Sequence, residues 1–134
     1  MKTKYLLGIM FLIIASCKKE TARLTSDIQG TWELVSYDGA WIGHRDYEPG
    51  NGNTFTFSGH SYSQKMVTTD TTYEYAGTFT IYKGKPCDFA SEQTLIKFDD
   101  NEYASSFDLS DGKLAIGTTE CIADGGTSTY ARIH

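Results

Sequence analysis

Three histidines, three cysteines and 17 aspartates and glutamates are the side chains of this 134-residue sequence most able to bind a metal or move a proton. His44, His60 and His134 are too scattered for a local ligand motif, and Cys17, Cys87 and Cys121 lack Cys-x-x-Cys spacing. Asp99 to Tyr103 (DDNEY) has neither the alternating oxygen ligands nor the terminal glutamate of a calcium loop, and it falls where a turn is expected. FSGHSYS resembles a nucleophile elbow only superficially, and no glycine loop precedes a helix to cradle phosphate. Glu33, Asp38 and Glu48 are carboxylates that only a fold could bring together. These patterns assign no catalytic residue, metal ligand or cofactor, and an enzyme is not the expected class.

A different chemistry gathers between Asp38 and Asn53. DGAWIGHRDYEPGNGN is the longest irregular stretch, and it concentrates Trp41, His44, Arg45, Asp46, Tyr47 and Glu48. Aromatic surface beside directed hydrogen-bond donors suits ligand contact, which makes Trp41, His44, Arg45 and Tyr47 the candidate binding residues. Long loops are commonly functional. A solvated loop with Trp41 tucked against the fold is the alternative.

The elements that must position these residues begin after an unusual N-terminus. MKTKYLLGIMFLIIAS has a short basic start at Lys2 and Lys4, an apolar run from Leu6 to Ala15, and no acid before Glu20. The run is too short to span a bilayer, which takes ~20 apolar residues. It fits a secretory signal peptide over residues 1–16; a buried helix greasy on every side is the competing reading. Ile14-Ala15-Ser16-Cys17 resembles the bacterial lipobox. That resemblance implies cleavage before Cys17, acylation of its thiol, and attachment to the membrane through the lipid. Lys18 stands where the family's inner-membrane retention signal would place Asp, so an outer-membrane lipoprotein of the cell envelope is implied, its leaflet open. Residues 17–27, polar and without pattern, read as a lipidated tether.

Removing residues 1–16 takes the chain to 118 residues and the formal charge from −5 to −7, because only Lys2 and Lys4 leave. That length suits one domain, and an acidic surface without a basic stripe excludes nucleic acid as the expected partner. With Cys17 acylated in an oxidising compartment, Cys87 and Cys121 are left to pair across 34 positions, or to remain two small apolar side chains.

From Ile28 to the end the pattern is β. Eight short runs rich in Thr, Tyr, Phe, Val and Ile are separated by turn residues. Asp111-Gly112 is a strong hairpin signal, and no convincing helical period appears. The pattern predicts an all-β domain over 28–134, an antiparallel up-and-down barrel of about eight strands; a small open sandwich is the other arrangement.

Gly30-Thr31-Trp32 on the first strand and Tyr130-Ala131-Arg132 on the last resemble the lipocalin-like (calycin) pattern, and the likeness extends along the domain in strand number and order. TFTFSGHSY resembles the second hairpin of bacterial lipocalin-like lipoproteins. The chain is shorter than a typical lipocalin and lacks the usual helix after the last barrel strands. The resemblance implies that Arg132 lies across the Trp32 indole to close the barrel, and that Asp38 to Asn53 folds over the open end. It implies a binding module for a small hydrophobic or aromatic ligand. The alternative is a protein-interaction or inhibitor lipoprotein acting through the first loop and surface aromatics. A continuous cavity of ~300 Å³ or more favours the first; a filled interior with an exposed aromatic patch favours the second.

Overall fold

The computed structural model describes residues 16–134. The expected signal peptide therefore lies outside the described residues, except for Ser16. The chain opens with helix α1, residues 16–27, where the sequence led us to expect a patternless tether. Leu24 and Ile28, four apart, are the large apolar residues here, and both are buried against the barrel. Two apolar positions are too few to show a helical period, so the barrel supplies the stabilisation that local sequence lacks. Thr21 and Thr25 turn their hydroxyls back to the carbonyls of Cys17 and Thr21. Among the described residues no helix is long and apolar enough to cross a membrane.

Nine strands follow: β1 Gly30–Gly39, β2 Gly43–Asp46, β3 Thr54–Ser58, β4 Ser61–Val67, β5 Thr72–Gly84, β6 Gln93–Phe98, β7 Ser105–Ser110, β8 Lys113–Gly117 and β9 Gly126–Ile133. All eight expected runs form strands, joined antiparallel in the order β1-β3-β4-β5-β6-β7-β8-β9, and β9 pairs back onto β1. The domain is thus a closed eight-stranded barrel rather than a sandwich. The additional strand, β2, lies inside the segment expected to be irregular. It forms a ribbon with the far half of β1, while β3 takes the near half. The hairpin at Asp111-Gly112 forms as expected, both residues having positive φ (51° and 70°). Tyr103 lies in the loop before β7 and is exposed.

One end of the barrel is filled. Trp32, Phe57, Ile96 and Leu114 are almost wholly buried there beside Leu24 and Ile28 of the helical segment. Phe55 stacks on Phe57 with centroids 5.2 Å apart, and Tyr62 meets Phe98 edge-on at 4.7 Å. The Trp32 indole N–H donates to the Ile28 carbonyl at 2.7 Å. Trp32 and Arg132 are direct partners across the β1–β9 seam, and the Arg132 guanidinium sits 4.3 Å over the Trp32 ring. Its Nη1 donates to the Gln29 carbonyl and its Nη2 to the Asp27 carbonyl at 2.6 Å, satisfying carbonyls that the end of α1 leaves open. Gly30 lies beneath this group at φ 110°; a Cβ there would come within 2.8 Å of Nη1. The Gly-x-Trp pattern therefore has a physical cause, since a side chain at Gly30 would push the guanidinium off its carbonyls.

Cys87 and Cys121 form a disulfide with Cα atoms 6.2 Å apart, tying the β5–β6 connection to the β8–β9 connection. Cys17 is a free thiol.

Candidate functional site

The other end of the barrel is open. Between the β1–β2 ribbon and the end of β4 lies a hollow of about 670 Å³, lined by Leu34, Tyr37, Arg45, Tyr47, Gln64 and Met66 among others. Beside it, toward β7 and β8, lies a second of about 460 Å³, walled by Phe55, Tyr62, Phe98, Ile116 and Tyr130. Gln64, Met66, Ser128 and Tyr130 line both, so the two form one continuous mouth.

The mouth owes its shape to an irregularity in β1. The pairing with β9 steps from Leu34↔Tyr130 to Ser36↔Thr129, leaving Val35 as the extra residue of a bulge. The Val35 carbonyl accepts from Tyr47 N–H at 3.0 Å. Because the bulge adds one residue, Leu34 and Tyr37 face the same side although three apart. Tyr37 is the cross-strand partner of Arg45, which therefore lines the mouth with it. The Tyr37 phenol lies over the paired glycines Gly39 and Gly126, where a Cβ on either would collide with it.

The loop from Tyr47 to Asn53 is pinned rather than loose. Glu33, buried in β1, accepts from the backbone N–H of Gly50 at 2.9 Å and of Gly52 at 3.2 Å. Asn51 donates to the Leu34 and Glu48 carbonyls, and Asn53 Oδ1 accepts from Val67 N–H at 2.8 Å. These bonds tie the rim of β1 to that of β4, so the mouth is largely preformed.

Of the four candidate binding residues, the structure brings Arg45 and Tyr47 to the mouth and leaves the other two off its lining. His44 is on the outer face of the ribbon, its Nδ1 2.6 Å from Asp38 and its Nε2 3.0 Å from Asp46. The hydrogen bond to Asp38, then that to Asp46, hold its pKa above the usual 6.5. Trp41, at the ribbon's tip, is 82% exposed rather than tucked onto the barrel. Glu33 and Asp38, candidate carboxylates in sequence, have separate structural partners.

Two phenols of the mouth have raised pKa values. Burial, helped by a hydrogen bond to the Asp100 carboxylate, pushes the Tyr62 pKa up. Burial also raises that of Tyr130, partly offset by Ser128 and Gln64. Both stay neutral at physiological pH, as donors and acceptors rather than bases. The segment Asp99 to Tyr103 is a turn: Asp99 accepts from the Thr78 hydroxyl at 3.1 Å, and the Lys97 ammonium donates to the carbonyls of Asn101 and Glu102. Among the described residues no cluster of three or more histidines, cysteines or carboxylates could hold a metal.

The sequence reading missed Tyr37, Gln64, Met66, Ser128 and Tyr130. The signal for Gln64 and Met66 was present, since they alternate with Ser63 and Lys65 along one run. Compared with family models, curated proteins and solved structures, the chain matches none.

Proposed function

We propose that this chain is a cell-envelope lipoprotein, anchored in the outer membrane by lipid on Cys17, whose lipocalin-like barrel binds a small molecule with an apolar or aromatic body. The observation that carries the binding reading is the continuous mouth, one hollow of about 670 Å³ opening into another of about 460 Å³. Those volumes fall in the range of small-molecule sites. An aromatic floor with a few polar groups at the rim is the composition such sites use. The lipobox-like Ile14-Ala15-Ser16-Cys17 supports the anchor.

Mass spectrometry of small molecules co-purifying with the protein from its native membrane tests the binding reading. An amphipathic compound near one per chain is expected, and a barrel that purifies empty under mild extraction counts against it. Fractionation tests the anchor: Cys17→Ala should leave the membrane fraction or remain uncleaved. A variant that fractionates and migrates like the parent refutes lipidation.

A second reading, docking to a protein partner, is favoured by one observation. Trp41 and Ile42 stand 82% and 64% exposed at the tip of the ribbon. Trp41→Ala would then abolish partner capture while leaving any small-molecule content unchanged.

A further inference from the structure

We infer that the ligand of the mouth is an anion: a soluble amphiphile whose carboxylate or similar acidic head sits at Arg45 while its apolar body enters the adjoining aromatic hollow. This inference rests on the binding reading and adds the charge of the ligand to it. Its basis is an asymmetry. The sequence holds 17 acidic residues against 12 lysines and arginines, yet the lining of the larger hollow contains Arg45 and no acid. The nearest acids of the ribbon, Asp38 and Asp46, face the opposite side and are held by His44.

Arg45 makes no ion pair and no side-chain hydrogen bond among the described residues, so its five N–H donors are available. Lys65 alternates with Gln64 and Met66 along β4 and stands opposite Glu74 on the outer face, so the positive charge of the hollow rests on Arg45. Around Arg45 the phenols of Tyr37 and Tyr47 and the amide of Gln64 can bond the remaining oxygens of a head group. A guanidinium in a hollow with low-dielectric walls draws anions even on a molecule whose net charge is negative. The single acid lining the adjoining hollow, Asp100, lies among the aromatic residues that would hold the body rather than the head.

The test is calorimetric titration of the full chain in neutral detergent micelles, with blank titrations into micelles subtracted. 2-Naphthoate is compared with 2-naphthamide, and dodecanoate with dodecanol; within each pair the body is the same and the charge differs. The acids should bind more tightly than their neutral partners, and Arg45→Gln should weaken the acids by about tenfold or more, the value of a charge-assisted hydrogen bond, while leaving the neutral partners unchanged. Arg45 is exposed, and an unaltered thermal transition for Arg45→Gln confirms that the loss is not one of folding. Displacement of naphthoate by dodecanoate, but not by phosphatidylglycerol in mixed micelles, supports a soluble anion; the reverse overturns it. Equal affinity within each pair and no effect of Arg45→Gln overturn the anionic inference and leave the binding reading standing. If no compound of either pair binds, that reading fails with it.

Discussion

Replacing Arg132 with lysine keeps the charge and removes the planar fork, which isolates what the guanidinium does at the barrel seam. Arg132 stacks 4.3 Å over Trp32 and donates to two carbonyls, those of Asp27 and Gln29. A cation–π contact at an exposed site contributes about 0.5–1 kcal/mol. Hydrogen bonds to a charged group contribute ~1.5–3 kcal/mol each when well sheltered, and this site is open to water, so the lower end applies. Lysine can keep one carbonyl and part of the ring contact. The net cost of Arg132→Lys is then about 1–2 kcal/mol, and of Arg132→Ala about 2–3 kcal/mol. For a domain of this size a loss of 1 kcal/mol lowers Tm by roughly 4 °C. Thermal unfolding of the full chain, followed by near-ultraviolet dichroism of the tryptophans, reads this directly. A double-mutant cycle with Trp32→Leu should return a coupling of about 0.5–1 kcal/mol, because the stack is lost once whichever partner is removed. A lysine variant that melts within ~1 °C of the parent, where roughly 4–8 °C is expected, would refute the reasoning: the guanidinium would then be a solvated surface group.

Two further outcomes follow from named contacts. Replacing both Cys87 and Cys121 with serine opens a covalent loop of 34 positions, for which the chain-entropy model gives a loss of about 3–4 kcal/mol; denaturant unfolding of parent and variant measures it, and a loss under ~1 kcal/mol would show the bridge to be dispensable. His44 should titrate above 6.5, and its bonds to Asp38 and Asp46 should stabilise the ribbon fully below that pH and fade as pH rises through the raised value. Following the imidazole by NMR checks this: Asp38→Asn should bring the titration down, and no downward movement would mean that the pairing is not formed in solution.

The barrel was legible because period-two alternation and turn residues act locally. Phe55 and Phe57 of TFTFS declare one buried face, and Asp111-Gly112 declares its hairpin with no help from the rest of the chain. Helix α1 was not legible, since its burial rests on Leu24 and Ile28 alone and its last carbonyls are capped by Arg132, more than a hundred residues away. β2 was hidden for the opposite reason. Gly43 to Asp46 is exposed at every residue, and a strand without a buried face carries no hydrophobic pattern.

The site was half legible, and the missing half turns on one residue. Choosing Trp41, His44, Arg45 and Tyr47 by residue type ignores that neighbours in a ribbon point opposite ways. Alternation carried straight through β1 from Trp32 and Leu34 would have placed Ser36 and Asp38 on the barrel side. The paired residues of β2 on that side would then have been His44 and Asp46, and the mouth would have been lined by carboxylates. The bulge at Val35 reverses this: beyond it Tyr37 pairs with Ser128 on the inner face, and Arg45 comes with Tyr37. One inserted residue thus exchanges an acidic ribbon face for a phenol and a guanidinium, turning His44 and its two aspartates outward, where they brace the ribbon. A bulge has no compositional signature in WELVSY, because it is created by the register of β9, which the chain reaches some ninety residues later. What faces the mouth, and hence which ligand charge it favours, is a property of strand pairing rather than of the segment that carries the residues.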